Sequence, residues 1–469
     1  MTSLEDQHSL GSGTVPNTEE GRVYGAKIPA VEPGWAWSSR RGRIAIALFV
    51  AGALFAGHLL LAMNRRATTL DFSHYYISAL LMRKGQDPYI TDIKPVASAL
   101  GLTVQNITLA TYPPTFLLLF EPLTLLVPVA AYWVWSAMGI GFLALTLYLL
   151  LDGLPREPSF RLFLIALVLL YPPISNNFYW GQTQIMLLCF LTLFMCWMEG
   201  GRESWAGAIL GFAGLLKLFP LMLMGYLLLR RQWKAIFYAG LVMVLGGLVT
   251  VAFLGVSRTM NFTTVVSSVT SQRWLGRYTN VALVSIISHI FWFAAAVHMG
   301  PIGGIGSHLS PAMDLFRRVL VLLAQGTVLA LTVYATLRSS RSPAAGDQHV
   351  IGLWVMTTVL LAPTAWIHYL VLLLIPYAVL LRLYLSGEAP QRAIRAGLAS
   401  FIVGECLITI DLVLLFAREA PWFAHGYEFW TTFIGWPLSL LLGFIAFYSL
   451  ARASRPVSSA VADRLAIAS

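Results

Sequence analysis

Charge is scarce in this sequence. Asp, Glu, Lys and Arg make up only 11% of its 469 residues, where a soluble domain carries about 25%. One large core does not account for the deficit, because a soluble protein of this size still exposes a surface that carries charge. Cysteine is nearly absent as well. Cys189, Cys196 and Cys406 lie inside apolar runs, at no spacing that suits a metal or a disulfide framework, so they read as small buried apolar residues. No phosphate-cradling glycine loop and no Asp-x-Asp pair occurs, which leaves nucleotide chemistry from the cytoplasm without support. Basic residues are not interleaved with aromatics into a patch, which excludes nucleic acid as a partner.

Apolar residues fill the gap. They make up 58% of the chain and form continuous runs such as Ile44–Leu61 and Phe429–Leu450. A bilayer requires every spanning backbone to satisfy its own hydrogen bonds, which restricts spans to helices or a closed barrel. Barrel strands alternate over about ten residues; these runs do not, so the expected fold is an all-α polytopic bundle. The formal charge of +10 arises from 31 basic and 21 acidic residues. The basic ones fall mainly in short loops, the positive-inside pattern. Residues 1–40 are polar and read as a disordered cytoplasmic tail. Residues 41–455 form the membrane domain, and 456–469 a second cytoplasmic tail. Arg40, Arg41 and Arg43 hold the start of the first helix in the cytoplasm as a retained anchor.

Loop charges set the topology of about 10–12 membrane helices with both termini cytoplasmic. Ile44–Met63 exits, followed by a long outer segment, Asn64–Thr111. Within it, Ser73–Lys84 has helical spacing and is expected to lie as an amphipathic helix on the outer membrane surface. The run from Pro113 to Leu151 is too long for one span and breaks near Pro122 and Pro128. Ala206–Arg230 has cytoplasmic signals at both ends, so it must be a hairpin with Lys217 at its outer tip. Val281–Val297 is either a span or a re-entrant piece, with parity favouring the latter.

This topology sorts the ionisable residues. Those in cytoplasmic loops are topology signals, whereas those at outer helix ends or inside apolar runs need a functional or pairing explanation. Asp71, just beyond the first span, suits both a helix cap and a general base for a hydroxyl. Gly85-Gln86-Asp87-Pro88-Tyr89 reads as a helix-terminating glycine and a turn. Tyr112-Pro113-Pro114 and Tyr171-Pro172-Pro173 are rigid pieces that shape a pocket. Asn176, Asn177, Trp180, Gly181, Gln182 and Gln184 crowd one outer loop, where amides and aromatics suit a sugar and equally an interfacial belt. Lys217 either snorkels or holds an anionic phosphate. Arg65, Arg66, Arg258, Arg273 and Arg277 add cations on the same side. His368, beside Trp366, opens a span at its outer end.

Taken in order, Asp71, Gly85-Gln86-Asp87-Pro88-Tyr89, Tyr112-Pro113-Pro114, Gly181-Gln182, Lys217-Leu218-Phe219-Pro220 and Pro363-Thr364-Ala365-Trp366-Ile367-His368-Tyr369 resemble glycosyltransferase family 87. The resemblance covers roughly residues 44–385. It implies a GT-C-type fold with a long first periplasmic loop. It also implies an inverting transfer of mannose or another sugar from a polyprenyl-phosphate donor to a lipid or glycan hydroxyl at the periplasmic face of a bacterial plasma membrane. Asp71 matches the acidic residue that serves as base. Lys217, His368, Tyr112, Gln182, Asn177, Arg66 and Trp366 are the expected donor-phosphate or substrate contacts. No cofactor is expected, and no cluster requires a metal. The competing class is a membrane transporter or lipid flippase, which would carry inverted repeats and ionisable groups near the bilayer midplane.

Overall fold

The computed structural model describes residues 39–64, 71–102, 109–269, 280–299, 309–339, 347–386 and 435–453, with 394–395, 398–399 and 403. Arg65, Arg66, Arg273, Arg277, Cys406, the predicted C-terminal tail, all of the predicted N-terminal tail but Ser39 and Arg40, and most of the span predicted near Ile394 fall outside them. The described residues are 83% helical and contain no strand, so the all-α polytopic expectation holds.

The first helix, α1 (Arg40–Asn64), packs along α6 (Pro158–Leu170). The outer segment supplies α2 (Asp71–Arg83) and α3 (Lys94–Ala99). The proline-broken run divides at its prolines into α4 (Pro114–Phe120), a 3-10 turn (Glu121–Leu125) and α5 (Pro128–Asp152). Proline lacks the N–H that continues a helix and is tolerated in its first turn. α6 and α7 (Pro172–Trp180) are bent by 51° at Tyr171-Pro172. Next come α8 (Gln184–Glu199), α9 (Glu203–Leu216), the turn Phe219–Met222, α10 (Leu223–Leu229), α11 (Trp233–Leu254) and α12 (Val256–Val269). α13 (Leu283–Met299), α14 (Pro311–Arg338), α15 (Gln348–Leu361), the turn Ile367–Leu373, α16 (Leu374–Ser386) and α17 (Gly435–Ala453) complete the described chain. Among the described residues, four stretches (α5, α11, α14 and Ile367–Leu385) are long and apolar enough to cross a membrane, or five with the bent pair α6–α7 counted as one. α8, α9 and α15 are shorter apolar helices.

Close glycine contacts fix the direction of α9 against α11. A Cβ on Gly207 would fall 2.0 Å from the Ala235 carbonyl oxygen, one on Gly211 2.4 Å from that of Ala239, and one on Gly246 2.3 Å from Leu215 Cδ1. The paired residues rise together along both helices, so α9 and α11 run parallel with small residues at their seam. The chain between them must therefore return, and Lys217 sits at the turning point of a hairpin, as the sequence predicts.

The loop arginines do more than signal topology. Arg161 donates to the carbonyls of Leu151, Leu154 and Pro155, and Arg382 to those of Leu149 and Leu150, so two guanidiniums cap the end of α5. That placement satisfies carbonyls the helix leaves unpaired and suits its negative pole. Arg230 pairs with Asp347 at 2.8 Å, and the Tyr226 hydroxyl donates to the same carboxylate. All these groups lie at one end of the bundle. Asp71 and the Lys217 turn lie at the other.

The expectation for α2 needs correction. It does not lie on a membrane surface: every residue from Phe72 to Met82 is buried, and only Arg83 and Lys84 emerge. The apolar stripe of Tyr76, Leu80 and Leu81 is real, but the opposite stripe faces the interior of the protein instead of water.

Candidate functional site

Asp71 opens α2 and is half-buried. One helical turn further, Tyr75 points from the same face. Both meet Gln182, whose Nε2 donates to Asp71 Oδ2. Because the NH2 end of the carboxamide faces the carboxylate, its oxygen faces Tyr75, and the Tyr75 hydroxyl donates to it at 2.7 Å. Tyr112 acts on the Tyr75 hydroxyl in turn, and its ring packs edge-on against Tyr75 with centroids 4.4 Å apart. Burial pushes the Asp71 carboxyl up to about 6, against the opposing pulls of the Gln182 hydrogen bond and the Lys217 charge. A carboxylate with that affinity is poised to accept a proton near neutral pH.

The local sequence explains how Gln182 reaches this place. Gly181 ends α7 in the left-handed region at φ 67°. The Gly181 N–H donates to Phe178, and the Gln182 N–H to Asn177 at 2.9 Å, closing the helix end. A Cβ on Gly181 would lie 2.8 Å from Phe72 Cβ, so only glycine lets α2 approach. Asn177 Nδ2 donates to the Gln182 carbonyl and Asn177 Oδ1 accepts from the Ile185 N–H. Asn177 is thus occupied in holding the turn. A narrow, mostly apolar crevice between α5, α7 and α8, with room for about one water molecule, is lined by Trp135, Met138, Phe142, Phe178 and Met186 and reaches Gln182.

A second group of residues surrounds Tyr369. The Lys217 ammonium lies 5.0 Å from the centre of its ring, within cation–π range. The His368 ring is 5.4 Å from it, and Phe219 packs on it at 5.0 Å. His368 Nδ1 faces Asn176 Oδ1 at 3.3 Å. Taking that oxygen as acceptor assigns the proton to Nδ1. Buried Nε2 is then a bare acceptor with no partner among the described residues. The backbone here is anchored twice. Tyr171 donates to the Leu370 carbonyl at 2.8 Å. Asn280 Oδ1 accepts the N–H of Ala365 at 2.9 Å, and Asn280 forms a bridge with half-buried Trp366.

The structure thus brings Asp71, Gln182, Tyr112, Lys217 and His368 to one end of the bundle. Lys217 is close enough to Asp71 to influence its proton affinity and close enough to His368 to act on its ring. Trp366 serves as backbone support beside them, and Arg66 lies outside the described residues. Arg258 is engaged elsewhere, donating to the Gly85 carbonyl. The Gly85–Tyr89 stretch is the expected helix end and turn, with Gly85 at φ 75°. It also clamps the outer segments together. Asp87 accepts from Asn261 on α12 at 2.8 Å, and Tyr89 donates to the Tyr112 carbonyl at 2.7 Å. Sequence reasoning passed over Tyr75, Tyr369 and Asn280. The spacing of four from Asp71 to Tyr75 was the available signal for the first.

These features define a multi-pass membrane protein with a carboxylate, a cation and an imidazole gathered at one end of its helices. Comparison with known families matches residues 110–363 to glycosyltransferase family 87. The chain belongs to that family, which is a family of glycosyltransferases and not of the transporters or flippases of the competing expectation. It is similar to the polyprenol-phosphate-mannose-dependent alpha-(1-2)-phosphatidylinositol mannoside mannosyltransferase of Mycobacterium tuberculosis, at 31% identity over 141 residues. That match covers 27% of this chain and 32% of the relative, so the chain spans about a third of the length of the curated relative it matches. No solved structure matches.

Proposed function

We propose that this protein transfers a hexose, mannose in the first instance, from a polyprenyl phosphate to an acceptor hydroxyl with inversion, at the periplasmic face of the plasma membrane. The observation that carries this reading is the convergence of Asp71, held by Gln182, with Lys217 at the tip of its hairpin. The acceptor oxygen attacks the anomeric carbon and its proton passes to Asp71. The bond from that carbon to the phosphate oxygen breaks, and its electron pair leaves on the polyprenyl phosphate. Lys217 stabilises the charge that develops there. Phosphate is already a good leaving group, so no acid is needed on that side. His368 Nε2, a bare acceptor, suits a substrate hydroxyl.

One further feature supports a lipid-borne donor at the outer face: the arginine-rich helix ends lie at the opposite end of the bundle, which the positive-inside bias assigns to the cytoplasm. The relative's name includes a polyprenol-phosphate-mannose donor and a phosphatidylinositol mannoside. The test is incubation of the purified protein with radiolabelled polyprenyl-phosphate hexoses and membrane glycolipids, followed by identification of the product and its anomeric configuration. Transfer with inversion is the expected result. Transfer only from nucleotide sugars, or with retention, overturns the proposal.

A further inference from the structure

Gln184 is the first residue of α8 and is fully buried. Among the described residues, neither atom of its carboxamide has a partner at hydrogen-bond distance. The Tyr369 hydroxyl is the nearest polar neighbour that acts on it, and it stops short of that distance. Beside it in sequence, Thr183 Oγ1 is also buried with no partner among the described residues. A buried polar side chain with nothing to bind is costly, and such groups persist where something else satisfies them.

The chemistry of the vacant pair restricts what that something is. A phosphate offers only acceptors here and leaves Oε1 unmet. A cation leaves Nε2 unmet. A saccharide hydroxyl both donates and accepts, and two neighbouring hydroxyls meet both ends of a carboxamide. Position restricts it further. Gln184 lies two residues from Gln182, which holds Asp71, and within reach of Tyr369, whose ring carries Lys217. In a displacement with inversion the transferred ring sits between the base and the leaving phosphate, and Gln184 neighbours the residues that hold both: Gln182 on Asp71 and Tyr369 under Lys217.

We infer that the Gln184 carboxamide binds hydroxyls of the transferred sugar and sets donor specificity. This inference rests on the proposed transfer from a polyprenyl-phosphate hexose. It is tested with Gln184→Met, which keeps length and volume while removing both polar ends, assayed against a short-chain polyprenyl-phosphate hexose and its monodeoxy analogues. For the natural chain, removing the hydroxyl that Gln184 binds should lower kcat/KM about 100-fold or more, because the carboxamide is left unmet. In Gln184→Met the parent donor should fall by a similar factor, and that same deoxy analogue should become as good a substrate as the parent. The variant's melting temperature should be unchanged or raised, since it loses an unpaired buried amide.

Unchanged deoxy-to-parent ratios in the variant overturn the assignment, as does a drop in melting temperature that accounts for the lost activity. If the natural chain transfers no polyprenyl-phosphate hexose at all, the proposed function fails and this inference fails with it. Normal transfer with unaltered ratios rejects Gln184 alone.

Discussion

Gln182 and Asp71 are 111 residues apart in sequence, yet the carboxamide of one donates directly to the carboxylate of the other. The bond is oriented from behind, because Tyr75 donates to the Gln182 oxygen. Gln182 is therefore a positioning residue, and its donation lowers the proton affinity of Asp71. Gln182→Leu should raise that affinity and reduce transfer at pH 6 by about tenfold or more, the effect expected on losing a hydrogen bond to a charged group. Tyr75→Phe should act in the same direction and less strongly. Profiles of kcat/KM against pH check this: the acidic limb should move to higher pH in both variants.

The natural chain should show its own acidic limb. Burial raises the Asp71 carboxyl from 3.8 to about 6, and a general base works only when ionised. The rate should rise with pH through about 6 and then level off. A pH series on a single polyprenyl-phosphate donor measures it.

The same shift has a sign in stability. The folded protein holds the Asp71 proton more tightly than the unfolded chain, whose carboxyl titrates near 3.8. The resulting stabilisation is complete below the unfolded value and is lost as pH rises through about 6. Asp71→Asn, which cannot ionise, should therefore be more stable than the natural chain at pH 7.5, by at most about 3 kcal/mol and less for the partial exposure of the group. The gain should vanish towards pH 4. Thermal melts of both proteins at the two pH values compare them directly.

The hairpin that presents Lys217 depends on close packing of α9 against α11. Gly207→Ala sets a methyl 2.0 Å from the Ala235 carbonyl oxygen and should cost about 3 kcal/mol through overpacking. Gly240→Ala, in the same region but with open space around its Cβ, should instead stabilise by about 0.5–1 kcal/mol, since alanine loses less backbone freedom on folding. Melting temperatures of the two variants in one detergent distinguish packing at the seam from a general intolerance of added methyls.

Much of the architecture was legible in the sequence because a bilayer leaves little choice. Long apolar runs must be helices, prolines at Pro114, Pro122 and Pro128 must divide them, and cytoplasmic charges at both ends of one run require a hairpin. The first buried helix was not legible in the same way. Helical periodicity shows that Tyr76 and Leu80 share a buried stripe, but it does not say whether the opposite stripe meets water or an internal cleft. Asp71, Lys217 and His368 stood out because ionisable groups are rare in such a chain. Tyr75, Tyr369 and Asn280 did not, because tyrosines and asparagines are common at membrane boundaries and only the folded contacts separate these from the rest. Asn177 stood out for the polar loop it belongs to, and its side chain closes that loop.

The measurement that bears most directly on the site is sugar transfer by Asp71→Asn, carried out with purified, correctly folded protein and a polyprenyl-phosphate hexose at pH 7.5. Loss of at least about 10³-fold in kcat, with donor binding retained and the melting temperature not lowered, is the expected result. Activity within a few-fold of the natural chain would contradict the assignment of Asp71 as the base.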